Sequence, residues 1–225
     1  MNMALARLIA GQIFLHACMT GMRMATPLLA LREGYSAAAV GVLLALFALT
    51  QVFLALPAGR YADRHGLKRP VGIAVVMACA GAGLSLIFPV FSVMCLSALM
   101  TGGATGLAII ALQRHVGRAA HDTTQLRQVF SWLAIGPAVS NFIGPFFAGL
   151  MIDHAGSTAG STEGYRAAFA LLAVLPLATW FWVRFGRDRC QTECARSLNR
   201  WSGAARACRA DWRLPRPAAA GSCSV

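Results

Sequence analysis

The sequence predicts an all-α membrane protein with six membrane-spanning helices. Of its 225 residues, 57% are hydrophobic and only 12% are charged, and a soluble domain of this length does not bury so much apolar surface in one core. The apolar residues also form long runs, and a helix needs roughly 20 of them to cross about 30 Å of hydrocarbon. The predicted spans are 8–31, 38–58, 71–88, 91–112, 129–152 and 167–183.

The first span is predicted to be a retained membrane helix and not a cleaved signal peptide. Arg7 precedes it, no small-residue cleavage site follows, and Arg23 interrupts its end. Polar residues recur within it at spacings of four, four and three, which places them on one face of a helix at about 100° per residue. This polar stripe consists of Gln12, His16, Thr20 and Arg23.

Polar residues also occur in three later spans, whereas the third and sixth spans contain little more than Ser85 and Thr179. The short break between the third and fourth spans, Pro89-Val90, predicts a tight turn. The polar residues are Thr50 and Gln51 in the second span, Ser97, Thr101 and Thr105 in the fourth, and Ser140 and Asn141 in the fifth. We therefore expect a cavity built by the first, second, fourth and fifth spans, with the candidate lining residues Gln12, His16, Thr20, Arg23, Gln51, Thr101, Thr105 and Asn141.

Arg23 is the only charged residue well inside a predicted span. Such a charge either faces a cavity or a partner, or extends along the helix towards the membrane surface. The stripe shared with Gln12 and His16 favours the cavity, where the guanidinium would bind an anionic group of a substrate. His16 belongs to the residue type that titrates near neutral pH; a packed neutral histidine is favoured over a proton carrier, and both stay open.

Lysine and arginine are distributed unevenly between the two ends of the spans. If the N-terminus is cytoplasmic, only Arg32 and Arg166 flank the spans on the opposite side. This bias predicts that both termini are cytoplasmic, in an integral multi-pass protein of the plasma (inner) membrane. The basic residues on the cytoplasmic side are Arg7, Arg60, Arg64, Lys68, Arg69, Arg114, Arg118 and Arg127.

A basic segment, 188–225, follows the six-span domain, 1–187. It has no apolar span, so we expect a disordered cytoplasmic tail, which either touches anionic lipid or has no specific role. Its cysteines lack paired metal-ligand spacing, so we predict no metal site. The net charge of +12 comes from basic residues that are not interleaved with aromatic ones, so we predict no nucleic-acid binding. The tail has the composition of an out-of-frame reading of GC-rich DNA.

The segment after the second span, 59–69, has the sequence Gly-Arg-Tyr-Ala-Asp-Arg-His-Gly-Leu-Lys-Arg. It resembles the cytoplasmic signature of the major facilitator superfamily, Gly-x-Leu-Ala-Asp-Arg-x-Gly-Arg-Arg, from which Tyr61 and Leu67 depart. An ordinary positive-inside loop would explain the basic residues but not Asp63 between two glycines. The family's aspartate helps to latch the cytoplasmic ends of two halves during alternating access, so the resemblance implies a conformational-switch loop containing Gly59, Asp63, Arg64, Gly66, Lys68 and Arg69.

Residues 140–149 resemble a second signature, Gly-x-x-x-Gly-Pro-x-x-Gly-Gly, of exporters in this family. Gly144, Pro145 and Gly149 match, while Ser140 and Ala148 replace glycines. Proline removes a backbone hydrogen bond and bends a helix, so the three matching residues form a predicted helix-bend motif. The match favours efflux, although such a pair also occurs as a purely structural kink. The arginine that many exporters carry early in the fourth helix is absent from 95–100, which leaves coupling to a proton open.

The resemblance implies one half bundle of such a transporter, made of two three-helix repeats. We expect secondary active efflux of a small molecule by alternating access, with membrane lipid as a partner and with no enzymatic activity or cofactor. We also expect a truncated or frameshifted chain, completed by a missing C-terminal half or by a second copy in a homodimer. An inactive half-transporter remnant and a non-transporting membrane subunit remain alternatives. An intramembrane protease is disfavoured because Gly-x-Ser-x-Gly is absent.

Overall fold

A computed structural model of the protein describes residues 3–119, 123–155 and 162–185. The described residues form helices and their connections, which confirms the predicted all-α class. The predicted disordered tail, 188–225, lies outside the described residues. The helices are α1 (Met3–Arg32), α2 (Ala37–His65), α3 (Lys68–Ile87), α4 (Phe91–Ala119), α5 (Thr123–Ala155) and α6 (Glu163–Phe185).

Five helices of the described part of the chain, α2 to α6, are long and apolar enough to cross a membrane. The exception is α1, which has 30 residues but carries the polar stripe. Gln12, His16 and Thr20 of that stripe are buried among the other helices, so their polarity does not have to face lipid. The membrane crossing of α1 stays a prediction.

The helix ends correct one expectation from the sequence. Residues 59–69 do not form a loop, because α2 continues to His65 and α3 begins at Lys68. Gly66 ends α2 with a φ of +70°, and its N–H donates to the carbonyl of Ala62 at 3.0 Å. Glycine adopts this left-handed conformation without the steric cost that other residues incur. The segment is therefore the last two turns of a helix followed by a two-residue connection.

The connection between α1 and α2 and the connection between α3 and α4 are also short. Ser36 caps α2 by accepting a hydrogen bond from the Ala39 N–H at 3.3 Å, as a serine at this position commonly does. Gly34, with a φ of +84°, provides the turn before it. Phe88–Val90 separates α3 from α4, which confirms the predicted tight turn.

The six helices of the described residues pack as two interlocked sets of three. α2 packs mainly on α4, and in the same way α5 packs mainly on α1; α3 and α6 pack on α4 and α1 respectively, and on each other. Small residues permit the closest approaches: Gly102 lies against the Phe47 carbonyl, and Gly144 lies against the Ala17 carbonyl. This exchange of helices between 3–87 and 91–185 is the arrangement expected of two three-helix repeats.

Contacts near the helix ends place the charged residues on two opposite sides of the bundle. On one side, Tyr35 stacks on Phe91 with ring centroids 4.9 Å apart, and the Arg32 guanidinium lies 5.5 Å from the centroid of the Tyr165 ring. On the other side, Asp63 near the end of α2 meets Arg114 and Arg118 near the end of α4. The predicted basic side and the predicted basic-poor side thus lie at different ends of the bundle.

Candidate functional site

Asp63 connects α2 to α4 at the basic end of the bundle. Its two carboxylate oxygens accept hydrogen bonds from Arg114 and Arg118, which lie one helical turn apart on α4. Gly59 lies one turn before Asp63 on α2, and a Cβ atom there would come within 2.8 Å of Nη2 of Arg114. The glycine of the signature therefore leaves room for the arginine that binds the aspartate of the same signature.

The described ion pairs of Asp63 do not include the other basic residues of the predicted switch. Arg64 and Arg69 are exposed, and Gly66 supplies the turn. Tyr61, which replaces the leucine of the signature, stacks on His65 with ring centroids 4.3 Å apart. Arg114 and Arg118 were not predicted as partners of Asp63, although the predicted topology placed both on the same side of the membrane as this residue.

Hydrogen bonds join α1 and α5 at their closest approach. The Thr20 hydroxyl donates to the carbonyl of Ser140 at 2.9 Å, and the Ser140 hydroxyl lies 3.1 Å from the carbonyl of Ile13. A Cβ atom on Gly144 would overlap Thr20 and Ala17, so glycine is required for this approach. α5 continues through Pro145 to Ala155, and the bend at the motif stays a prediction.

An open pocket of about 310 Å³ lies between α1, α2 and α5. It brings together three of the predicted cavity residues, Thr20, Arg23 and Asn141. The Arg23 and Asn141 side chains are exposed. Among the described residues, Arg23 has no partner in a hydrogen bond or an ion pair. The other residues that line this pocket are Met24, Leu44 and Pro145.

A second, much smaller cavity of about 20 Å³ lies between α1, α3, α4 and α6, large enough for about one water molecule. Gln12, His16 and Thr105 line it, together with Thr179. The Thr179 hydroxyl donates to the carbonyl of Gly11 at 2.8 Å, so α6 contributes a polar contact that its apolar sequence did not suggest. Gln12 Oε1 and His16 Nδ1 have no hydrogen-bond partner among the described residues.

The other two candidates belong to helix packing. Thr101 is buried, and its hydroxyl donates to the carbonyl of Ser97 in its own helix at 2.8 Å. Gln51 is half-buried and lies against Gly106, where a Cβ atom would meet it at 3.4 Å. The candidates expected to line one cavity are thus divided between the open pocket, the small cavity and the contacts of α4 with α2 and α3.

Comparison with known proteins agrees with this architecture. No curated protein matches the chain significantly. The sequence profile described as Major Facilitator Superfamily matches residues 8–212, which is most of the chain and extends beyond the predicted six-span domain, 1–187. Together with the six-helix bundle and the Asp63 signature, this match shows that the chain belongs to the major facilitator superfamily.

Proposed function

We propose that the protein is a secondary transporter that exports a small molecule and binds it in the open pocket between α1, α2 and α5. The observation that carries this proposal is the exposed Arg23 guanidinium. Arg23 lies roughly 8 Å from the midpoint of α1 at 1.5 Å per residue, well within a hydrocarbon layer about 30 Å thick. A charge at the centre of a membrane helix costs about 2.5–3.5 kcal/mol or more when it faces lipid, and Arg23 is near enough to the centre to bear part of that cost. We therefore infer that this face of the bundle lies against water or protein.

A solute pathway formed with a second bundle would place both water and protein against the face of the bundle that carries Arg23. In this family a six-helix bundle forms one half of the transporter, and the substrate binds between two halves near the membrane midplane. We infer that the pocket at Arg23 faces such a second bundle, supplied by another segment or by a second copy. An arginine that extends to the membrane surface instead is the competing explanation.

The Asp63 ion pair supplies an element that the two states of alternating access can form and break. It is only partly buried, with 34% of the Asp63 side chain exposed, so separating the charges costs little in water. The proposed orientation places this end in the cytoplasm, in accordance with the excess of basic residues there. The export direction rests on the signature residues Gly144, Pro145 and Gly149.

Reconstitution separates a transporter from a membrane protein without transport activity. The full chain in liposomes is expected to release a subset of a panel of radiolabelled small molecules, and Asp63→Asn is expected to slow that release at least several-fold. Asp153→Asn is the matched control, because Asp153 is exposed near the opposite end of the bundle and has no contact with Arg114 or Arg118. Folded protein that transports no member of the panel would instead support the non-transporting subunit.

A further inference from the structure

We infer that the open pocket selects an amphipathic organic anion: a compact apolar molecule that carries one carboxylate, sulfonate or similar group. The inference rests on the proposed function, since the bound anion is taken to be the transported solute. It adds the chemical class of that solute, which follows from the charge, the hydrogen-bonding groups and the apolar surface of the pocket.

The charge of the pocket is positive and is not neutralised by the described residues. Among the described residues that line the pocket, Arg23 is the only charged one. The acidic residues with described side chains are at or beyond helix ends, at Glu33, Asp63, Asp153 and Glu163. A guanidinium presents planar donors that match a carboxylate or sulfonate in a two-pronged contact. One arginine without a carboxylate beside it favours a ligand with one negative group and disfavours a cation.

The hydrogen-bonding groups beside Arg23 complement an anion as well. Asn141 is exposed in the same pocket, and its side-chain amide offers two N–H donors. The Thr20 hydroxyl already donates its hydrogen to the Ser140 carbonyl, so it is not counted as a donor to the anion. That bond joins α1 to α5 directly beside Asn141 and close to Arg23. The two donor side chains are therefore carried by helices whose separation is set by the Thr20 and Gly144 contacts.

The rest of the pocket is apolar and small. Met24, Leu44 and Pro145 provide its other lining surface. The open side of the site that the described helices form already offers about 310 Å³, which is enough for a small organic molecule. A compact aromatic or short aliphatic body satisfies this surface, whereas an inorganic anion leaves it uncovered.

Two fluorescent probes with the same apolar body test the inference. The full chain is placed in nanodiscs of zwitterionic lipid and titrated with 5-(dimethylamino)naphthalene-1-sulfonate or with the corresponding neutral sulfonamide. The sulfonate is expected to bind saturably and at least tenfold more tightly than the sulfonamide. Arg23→Gln is expected to weaken sulfonate binding at least tenfold and to leave sulfonamide binding unchanged, while Arg23→Lys retains part of the affinity.

Arg7→Gln is the matched control, because Arg7 is an exposed arginine of the same helix, about 24 Å away along its axis. It is expected to change sulfonate affinity by less than twofold. Asn141→Leu gives an independent test should Arg23→Gln fail to fold, and we expect a several-fold loss of affinity for the sulfonate alone. Equal affinity for the two probes, or an equal loss in Arg7→Gln and Arg23→Gln, would overturn the inference.

Binding and transport can fail separately. Saturable, Arg23-dependent sulfonate binding without any flux of the sulfonate across liposomes would contradict the proposed function and leave the anion site intact. Flux of a cationic solute that is unaffected by Arg23→Gln, with no sulfonate binding, would leave the transporter intact and overturn the anion site.

Discussion

At the level of single residues, Asp63 binds Arg114 and Arg118 and thereby joins α2 to α4. Asp63 stood out in the sequence because it interrupts a basic segment between two glycines. Arg114 and Arg118 did not, since the fourth span was expected to end at residue 112, whereas α4 continues to Ala119 and thereby sets the two arginines one turn apart. Thr101 illustrates the reverse case, because a buried threonine can satisfy its hydroxyl within its own helix.

Replacing Asp63 by asparagine tests the contact between α2 and α4. Both ion pairs are partly exposed, so we expect the free energy of unfolding to fall by no more than about 1 kcal/mol. The end of α4, however, loses its attachment to α2. Amide hydrogen exchange over residues 112–118 is therefore expected to rise several-fold.

The same measurement on Asp153→Asn, which removes a carboxylate with 86% of its side chain exposed, is expected to show no change in that segment. Exchange in α4 that is identical in the Asp63→Asn variant and the wild-type protein would show that the ion pair does not hold α2 against α4.

At the level of the helices, the apolar runs predicted their number and order, but not their ends or neighbours. An apolar run ends where the helix leaves the lipid, whereas the helix itself continues until a residue such as Gly66 ends it. The length of α2 was therefore underestimated. Glycine content predicted close packing without saying which helices approach. The structure resolves this: Gly144 allows α5 to approach α1, and Gly102 allows α4 to approach α2.

Alanine substitutions of three membrane glycines should rank by the space around each one. Gly144→Ala places a methyl group on Thr20 and Ala17, Gly149→Ala places one 3.3 Å from Cε of the flexible Met24 side chain, and Gly83→Ala meets no atom within 4 Å. Overpacking costs typically about 1–3 kcal/mol. We expect Gly144→Ala to lower the melting temperature in detergent by several degrees and Gly149→Ala by less.

Gly83→Ala serves as the matched control for these glycine substitutions. It is expected to leave the melting temperature unchanged or slightly higher, because alanine has the greater helix propensity. A Gly144→Ala protein as stable as Gly83→Ala would mean that α1 and α5 are farther apart than the contacts of Gly144 with Thr20 and Ala17 require.

At the level of the whole molecule, the distribution of lysine and arginine predicted that one end of the bundle is basic and the other is not. The contacts between helix ends agree with this prediction. Arg32 and Arg166 are near the side on which Tyr35 meets Phe91, and Asp63 binds two arginines near the opposite side. The division of the polar candidates was not predictable, because the stripe on α1 is continuous in sequence. In the folded bundle α1 is surrounded, so Gln12 and His16 face the interior while Arg23 reaches the open pocket.

The proposed orientation predicts which connections react with a reagent added to intact cells. With native cysteines replaced by alanine, Glu33→Cys in the connection between α1 and α2 is expected to react from outside. Arg69→Cys, at the start of α3, is expected to react only after the membrane is opened. The opposite pattern would reverse the orientation, and with it the assignment of Asp63 to the cytoplasmic end.

The central claim, that the pocket at Arg23 and Asn141 is a water-filled solute site, is tested most directly by thiol accessibility at two matched depths. Asn141 lies in α5 and Val76 in α3, each within about 3 Å of the midpoint of its helix, and 69% of the Val76 side chain is exposed on the outside of the bundle. In open membrane fragments of the cysteine-free protein, Asn141→Cys is expected to react with a sulfonate-bearing methanethiosulfonate at least tenfold faster than Val76→Cys. Equal protection of both cysteines would place Asn141 and Arg23 against lipid and contradict the proposed pathway.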